Sequence, residues 1–376
     1  MHVRNLLEAS AHAPLRRSVP TKVNIAIYNL YMHSVGGGER RSALMAHHFA
    51  RRHNVSLFVD IPVDIGSIVK NFDIDLSGVN IIPLQGKNHE REIAANTPDI
   101  FINNSHGSEI RCVAPAGIYM CMFPAGPTGE YLKTYNAITA NSRYTAHWIK
   151  KRWGRDAEIV YSACRSMGPP SKKEKVIINV GRFSIDFPGN HHKRQNVLAT
   201  AFRNMKREID EGWQLHLIGN VADGPGHTDF LRELISECKG YPIRILTGLH
   251  IRELRDEYRK ASAYWHATGY GSSEEEHPQK QEHFGISIIE AMSAGAVPIV
   301  YDGGGPREFV DSGSNGFLWE NTGELIQVTT HLAHSPWRRK LMSHRAIRRS
   351  KAFTADQFLA RMEGLVEDLI ARTNTP

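Results

Sequence analysis

The sequence predicts an α/β fold with two doubly wound domains that face each other across a cleft. The chain has 376 residues, enough for two domains of roughly 100–200 residues each. Strand-like and helix-like segments alternate in two successive series, and a stretch rich in Gly, Pro, Ser and Lys at 161–175 separates them. Such alternation implies parallel sheets with helices on both faces and a cleft beyond the carboxyl ends of the strands.

The first series is assigned to an N-terminal domain at 22–168. It follows a polar segment at 1–21, which has no sustained period and is predicted to be a flexible tail. An apolar strand at 23–29 leads through Gly36-Gly37-Gly38 into a helix at 39–52, so the domain opens as a βαβ unit. Further strands are predicted at 55–59, 100–103, 117–122 and 137–140, and a further helix at 144–153.

The second series is assigned to a C-terminal domain at 169–353. It begins after Gly168-Pro169-Pro170, which cannot continue a helix. The strand predicted at 176–180 starts a new alternation, with no internal repeat of the kind that marks a solenoid. The remaining strands are predicted at 214–218, 243–246 and 263–266, and the helices at 196–205, 228–238 and 252–260.

The stretch 282–295 in the second domain carries the strongest functional signal. Glu282 and Glu290 lie eight residues apart around a helix that Gly285 introduces. A helix N-terminus has unpaired N–H groups that can hold a phosphate, and a carboxylate can accept hydrogen bonds from sugar hydroxyls. Glu290 also has apolar neighbours, so its charge needs a bound partner. The pattern indicates a nucleotide-sugar site; the alternative is a solvated Glu290 and a capping Glu282.

Glu282 to Glu290 resembles the E-x7-E motif of the family 4 type of retaining glycosyltransferases. The resemblance extends to Gly36-Gly37-Gly38-Glu39-Arg40, which is similar to the family's glycine loop, and to Arg182 and Lys193, which are similar to its Arg/Lys pair. It covers nearly the whole chain from about Val23. The resemblance implies the GT-B fold, two facing Rossmann-like domains, with the final helix at 354–372 packing back on the N-terminal domain.

The resemblance also implies roles for residues in the cleft. Arg182 and Lys193 would clamp the donor diphosphate, since a guanidinium binds phosphate oxygens in a fork. Glu282 would bind hydroxyls of the transferred sugar, and Glu290 would accept a hydrogen bond from the ribose. The other donor-binding residues of the motif would be His283, Phe284, Gly285 and Ile286.

The N-terminal domain supplies further candidates. Gly37 and Gly38 stand where backbone amides can meet a phosphate or the acceptor, although a plain flexible turn would have the same sequence. His106 resembles the family's N-domain histidine near the reacting sugar, and the alternative is an ordinary surface histidine. The acidic loop at 269–281 is interpreted as a lid or specificity loop, or as a solvated insertion.

No metal or other cofactor is expected. The four cysteines lack C-x-x-C spacing and are predicted to be buried thiols, which disfavours a zinc site or a disulfide framework. Asp73-Ile74-Asp75 imitates a metal-binding D-x-D without a phosphate-binding context. The Arg/Lys pair and a helix terminus could neutralise the leaving group instead.

The net charge of +7 indicates anionic partners. Lys150, Lys151, Arg152 and Arg155 alternate with Trp148 and Trp153, a pattern that suits an anionic membrane or, alternatively, a solvated helix end. The sequence contains no recognised nucleic-acid motif, so no nucleic-acid partner is expected. It also lacks an apolar segment long enough to span a membrane and a signal peptide. We therefore expect a cytoplasmic enzyme, with a peripheral position on the inner membrane face left open.

Together the residues and the resemblance predict a retaining hexosyltransferase. It would move mannose or glucose from a GDP- or UDP-linked donor to a lipid-linked or cell-surface polysaccharide acceptor. Two alternatives stay open: an enzyme of the same fold resembling a sugar-nucleotide epimerase, and a non-catalytic scaffold, because fold alone does not fix function.

Overall fold

The computed structural model describes residues 22–34, 36–59, 64–186, 192–205, 212–222 and 224–373. The predicted tail at 1–21 lies outside these residues. Within them the chain forms two parallel sheets, each covered by helices, which confirms the predicted α/β class.

The N-terminal sheet has the strand order β3-β2-β1-β4-β5-β6-β7. This is the order of a doubly wound sheet, which reverses its direction of growth between β1 and β4. Residues of β4 and β5 are buried along their whole length, as expected for parallel strands covered on both faces. The strands are β1 (Asn24–Tyr28), β2 (Asn54–Val59), β3 (Asn80–Pro83), β4 (Ile100–Asn103), β5 (Ala116–Cys121), β6 (Ala137–Ala140) and β7 (Glu158–Ile159), and the helices are α1 (Gly37–Ala50), α2 (Ile65–Phe72), α3 (His89–Ala94) and α4 (Arg143–Trp153).

The C-terminal sheet repeats this arrangement with the order β10-β9-β8-β11-β12-β13. Its direction of growth reverses between β8 and β11, so a second ligand-binding crevice is expected there. The strands are β8 (Glu174–Val180), β9 (Gln214–Ile218), β10 (Ile243–Leu246), β11 (Ala261–His266), β12 (Val297–Tyr301) and β13 (Phe317–Trp319), and the helices are α5 (Gln195–Met205), α6 (His227–Cys238), α7 (Ile251–Lys260), α8 (Ile286–Ser293), α9 (Thr322–Ala333) and α10 (Pro336–Ser350).

The last helix, α11 (Ala355–Thr373), packs on the N-terminal sheet. Phe358, Met362 and Val366 are buried in the same apolar cluster as β1 and β4. Since each buried aliphatic or aromatic side chain contributes roughly 1.5–3 kcal/mol, this helix is an integral part of the N-terminal domain. The predicted domain limits at 168 and 353 stay predictions.

The chain therefore crosses between the two domains twice, and the two crossings lie side by side. Cys164 N donates a hydrogen bond to Phe353 O at 2.9 Å, and Cys164 and Thr354 form a parallel bridge. Phe353 is buried in the apolar cluster beneath α8. The first crossing is thus fastened to the second.

Cys121, Cys164 and Cys238 are buried free thiols, and Cys112 is a half-buried one. Over the ranges that the structure describes, no helix combines the length and the apolar character needed to cross a membrane.

Candidate active site

The sheet topology directs two loops of the C-terminal domain towards the cleft. Gly181 and Arg182 follow β8, and His266 ends β11, the neighbouring strand across the reversal point. Gln195, the first residue of α5, is fully buried. Its Nε2 donates to the carbonyls of Gly181 at 3.2 Å and Arg182 at 3.0 Å. The buried Gln195 side chain therefore holds the backbone of the loop after β8, while the Arg182 side chain is exposed.

A cavity of about 730 Å³ lies between the domains and is lined by both. Its size fits a nucleotide sugar, since small-molecule sites span roughly 300–1,000 Å³. The predicted site residues that line it are Gly37, Gly38, Arg182, Lys193, Glu282, His283, Phe284, Gly285, Ile286 and Glu290. His106, by contrast, is not among its lining residues.

Glu282 is the centre of a hydrogen-bonded group on the C-terminal wall. Lys193 Nζ lies 2.7 Å from Glu282 Oε2, and His266 Nε2 lies 3.0 Å from the same oxygen. An ionised carboxylate only accepts hydrogen bonds, so His266 Nε2 carries the proton. Burial lowers the pKa of His266, although Glu282 opposes that effect. A neutral histidine and a lysine thus position the acid at the cavity surface.

The backbone around Glu282 rests on Gly303, Gly304 and Gly305. Gly305 N donates to Glu282 O at 2.8 Å, and Gly304 has the left-handed φ of +65°. A Cβ atom on Gly304 would overlap the carbonyl oxygen of Glu282, and one on Gly305 would overlap that of His283. Only glycines allow the two backbone segments to approach this closely.

Helix α8 begins at the cavity because Gly285 provides its N-cap with φ of +101°. This conformation favours glycine strongly. The first N–H groups of the helix have no partner within it and form, with the helix dipole, a site suited to anions. The sequence therefore places a potential phosphate site directly beside Glu282.

Glu290 lies within α8, eight residues after Glu282, and has neighbours from both domains. Tyr258 OH lies 3.3 Å from Glu290 Oε2. Burial raises the pKa of the Glu290 carboxyl, while the positive charges of Arg165 and Arg40 oppose that rise. The acid is thus surrounded by a buried phenol and two guanidinium groups from the N-terminal side, and its role towards ribose stays a prediction.

The N-terminal wall is built from α1 and the segment after β4. Asn104 Nδ2 donates to Gly38 O at 2.9 Å and to Ser42 Oγ at 2.6 Å. Arg41, which is buried, donates to Asn104 Oδ1 at 2.5 Å. Glu39 Oε2 accepts from Gly36 N at 2.8 Å, which satisfies one free N–H of the helix start. These contacts hold the glycine loop in place.

The two predicted histidines have different surroundings. His106 follows β4 in a turn, and burial lowers its pKa. The ring of His283 stacks on Phe123 of the N-terminal domain, with 4.2 Å between ring centroids. The Phe284 ring is buried among aromatic residues, so a ligand can meet chiefly the backbone of that residue.

Helix α4 exposes Lys151 and Arg152 but buries its tryptophans, so the tryptophans do not form the membrane-facing surface that one of the two interpretations required. Trp148 and Trp153 are only 5% and 6% exposed. Lys151 forms an ion pair with Glu275, and Arg152 donates to Pro124 O at 2.8 Å. The tryptophans are packed and these cations are engaged because partner residues come from elsewhere in the chain.

The two domains are further joined by Glu308, which follows the glycines at 303–305. Its carboxylate accepts from the backbone N–H of Arg143 at 3.0 Å and of Tyr144 at 2.9 Å. Tyr161 OH adds a third contact at 3.0 Å. An acid at the first turn of α4 also interacts favourably with the helix dipole. Glu308 of the C-terminal domain thus caps a helix of the N-terminal domain.

The acidic loop at 269–281 also reaches the N-terminal domain. Tyr144 OH donates to Pro278 O at 3.0 Å, and Arg152 Nη2 donates to Gln279 Oε1 at 3.3 Å. Gln281 is fully buried. Contacts at these points show that the loop bridges the domains and is not a purely solvated insertion.

Three residues of the site were not predicted individually: His266, Arg165 and Tyr258. The position of His266, a polar residue at the carboxyl end of a parallel strand, was a usable signal, because ligands of such sheets bind there. Arg165 and Tyr258 reach Glu290 only through the tertiary fold, and their sequence positions gave no signal.

A family model described as glycosyl transferases group 1 matches residues 165–349. The match spans β8 to α10 and therefore includes both acids and the Arg182 loop.

Curated relatives are mannosyltransferases. The human "GDP-Man:Man(3)GlcNAc(2)-PP-Dol alpha-1,2-mannosyltransferase" is 24% identical over 253 residues, 61% of this chain and 49% of the relative. The mouse protein of the same name is 25% identical over 271 residues, 66% of this chain and 52% of the relative. The chain thus spans about half the length of these relatives.

Solved structures share the fold over most of the chain. Anabaena HepE in complex with UDP has a TM-score of 0.72 at 16% identity and covers 92% of this chain and 100% of its own. A glycosyltransferase from Rickettsia africae has a TM-score of 0.70 at 16% identity, with 93% and 99% covered. Sucrose-phosphate synthase from Thermosynechococcus elongatus has a TM-score of 0.68 at 14% identity, with 93% and 100% covered. These similarities show the GT-B fold.

Proposed function

Residues 165–349 belong to the glycosyl transferases group 1 family, and from this premise we propose that the chain is a retaining hexosyltransferase. Its donor is a nucleotide sugar, with GDP-mannose favoured and UDP-glucose the alternative. The observation that carries the proposal is the position of Glu282, which Lys193 and His266 hold at 2.7 and 3.0 Å. This acid stands beside the N-terminus of α8 in a cavity shared by both domains.

The C-terminal wall supplies what the leaving nucleoside diphosphate requires. Arg182, Lys193 and the first residues of α8 all line the cavity, where they provide positive charge and hydrogen-bond donors. Electrostatic stabilisation of developing charge is usually the largest contribution to catalysis. We assign these groups to the diphosphate, Glu290 to the ribose, and Glu282 to hydroxyls of the transferred sugar.

Retention of anomeric configuration requires the acceptor hydroxyl to attack from the side that the diphosphate leaves. The N-terminal wall stands opposite the donor groups, and Gly37 approaches Ile286 across the cavity. We assign the acceptor to this wall, apart from Gly37 and Gly38, whose backbone amides we assign to the donor phosphate. The acceptor oxygen forms a bond to the anomeric carbon as the bond from that carbon to the phosphate oxygen breaks. Because no side chain is assigned as general base, the departing phosphate oxygen is the proposed acceptor of the hydroxyl proton.

The acceptor is proposed to be a lipid-linked glycan. The support comes from the relatives, whose name specifies transfer to Man(3)GlcNAc(2)-PP-Dol. A lipid-anchored acceptor would bring a cytoplasmic enzyme to the inner face of the membrane. Transfer to a lipid-linked oligosaccharide, measured with radiolabelled GDP-mannose and UDP-glucose, tests donor and acceptor together.

Nucleotide binding is tested first, by thermal unfolding with GDP, UDP and ADP. A nucleotide at one hundred times its Kd should stabilise the folded protein by about 2.7 kcal/mol. Glu290→Ala should weaken this stabilisation, whereas the exposed Glu233→Ala on α6 serves as a matched control. If no nucleotide raises the Tm of the wild type, the scaffold alternative is favoured.

Glu282→Ala separates binding from transfer. We expect nucleotide affinity to be kept and kcat to fall at least about tenfold, which corresponds to roughly 1.4 kcal/mol. Unchanged kcat would remove Glu282 from sugar binding. The anomer of the first product, observed by proton NMR, tests retention: an inverted linkage would contradict it, and a modified nucleotide sugar without transfer would favour the epimerase-like alternative.

A further inference from the structure

Helix α10 has an unusual distribution of charge. Its 15 residues, PWRRKLMSHRAIRRS, contain six Arg or Lys residues and no acid. Met342, Ala346 and Ser350 form the buried side. At about 100° per residue, Trp337, Lys340, Leu341, His344 and Arg348 lie on the opposite side, and the half-buried Arg345 lies at its edge. We name Trp337, Lys340, Leu341, Arg345 and Arg348 the α10 face.

The α10 face exposes two large apolar side chains. Trp337 is 72% exposed and Leu341 is 41% exposed. They are four residues apart, so they are neighbours on the helix surface. Adjacent exposed apolar groups ringed by polar ones mark interaction sites, and tryptophan is favoured where one end of a side chain is apolar and the other wet.

Three cations of the α10 face have no partner among the residues that the structure describes. Lys340, Arg345 and Arg348 form no ion pair or hydrogen bond with any residue that the structure describes. The other cations of the helix are engaged: Arg338 with His331 at 2.8 Å, Arg339 with Leu332 O at 3.0 Å, and Arg349 with Glu308 O at 2.7 Å.

A cavity of about 280 Å³ lies at the end of the α10 face. Three arginines and one aspartate line it, so its positive charges outnumber its negative ones. Such a site suits a phosphate group, because a guanidinium binds phosphate oxygens with two parallel hydrogen bonds. Its lining includes Arg345, Arg348, Arg349, Asp311, Ser314 and Asn315.

We propose that the α10 face docks the protein on an anionic phospholipid surface. Trp337 and Leu341 enter the boundary between headgroups and acyl chains, while Lys340, Arg345 and Arg348 contact lipid phosphates. Basic amphipathic helices with exposed Trp and Leu bind membranes in this way. A nucleic acid would also bind the cations through its phosphates, but it has no acyl chains among which Leu341 could be buried. The proposal goes beyond the transfer reaction, because docking requires neither donor nor acceptor.

Co-sedimentation of the full chain with vesicles tests the proposal. We expect binding to phosphatidylcholine vesicles that contain about 30% phosphatidylglycerol, and weak binding to phosphatidylcholine alone. Arg345→Gln/Arg348→Gln should weaken binding to the anionic vesicles roughly tenfold or more. The matched control Lys87→Gln/Lys239→Gln removes two exposed cations elsewhere and should leave binding close to that of the wild type.

Tryptophan fluorescence gives a second readout. The chain has six tryptophans, and the five other than Trp337 are between 0% and 6% exposed. Quenching by brominated acyl chains should therefore report on Trp337 and disappear in Trp337→Phe. Equal losses in the control variant, absent quenching, or no vesicle binding would each overturn the proposal. So would binding of a duplex DNA that is stronger than vesicle binding and is lost in the same Arg variant.

Discussion

The chain contains two triplets of glycine, Gly36-Gly37-Gly38 and Gly303-Gly304-Gly305, which the structure uses in different ways. Both lead into a helical segment. The first triplet lines the cleft, and the second lies behind the Glu282 segment that lines it. At Gly304 and Gly305 an added Cβ would overlap backbone oxygens of the Glu282 segment. In the first triplet the nearest atoms belong to side chains, which can move. Identical residues thus meet backbone atoms, which leave no room for a Cβ, in one domain and side-chain atoms, which can give way to one, in the other.

The strongest test of this contrast is Gly305→Ala. Because backbone atoms would have to move, we expect a loss of about 1–3 kcal/mol in the free energy of unfolding and loss of nucleotide binding. Urea unfolding and thermal titration with GDP measure both. Gly364→Ala is the control, since no atom lies within 4 Å of its Cβ position. Wild-type stability of Gly305→Ala would show that these backbone atoms can give way to a Cβ.

Gly37→Ala should act on catalysis more than on stability. Its Cβ would lie 2.7 Å from Ile286 Cδ1 across the cavity, so the Ile286 side chain would be displaced within the cavity. We expect about a tenfold loss in kcat/KM, equal to roughly 1.4 kcal/mol. Ile286→Val removes the clashing atom and should restore part of the activity. Additive effects in this double-mutant cycle would indicate that the residues do not meet.

The C-terminal wall should also respond to pH through His266. Burial lowers the pKa of His266 below its ordinary value of 6.5, so the unfolded chain binds more protons below that pH. The contribution to stability is therefore complete above pH 6.5 and declines as the pH falls below it. His266→Gln should flatten the decline in urea-derived stability between neutral and acidic pH. An unchanged profile would assign the pH dependence to other groups.

Gly38→Ala should have the smallest effect on folding. Its Cβ would lie 3.5 Å from Met122 Cε, which is an ordinary van der Waals contact. Alanine also has fewer backbone conformations than glycine in the unfolded chain, so less conformational entropy is lost on folding. We expect a gain of roughly 0.4–1 kcal/mol in stability. A raised KM for the donor would accompany it if the backbone of this residue meets the ligand. An unchanged KM would remove Gly38 from the donor site.

Local pattern predicted most of the fold. The strands at 100–103, 137–140, 214–218 and 243–246 have the predicted limits, because buried parallel strands are short apolar runs bounded by turns. The start of α8 was also readable, since Gly285 introduces a helix between two acids. These features depend on neighbours in sequence and are therefore visible in it.

Features that depend on distant partners were not predicted. The pattern of α4 suited a membrane contact, but Glu275, 124 residues after Lys151, pairs with that cation. Glu308 accepts hydrogen bonds from the first backbone N–H groups of the helix. The difference between the glycine triplets likewise arises from the atoms packed against them. His106 shows the same limit, because position after a strand did not establish whether it lines the cavity.

The hydrogen bond between Cys164 and Phe353 has a mechanical consequence. A domain attached by one strand can swivel about that strand in any direction. Here two connecting segments run in parallel between the domains and are hydrogen-bonded to each other. Rotation of one domain relative to the other is therefore more restricted than it would be about a single connection.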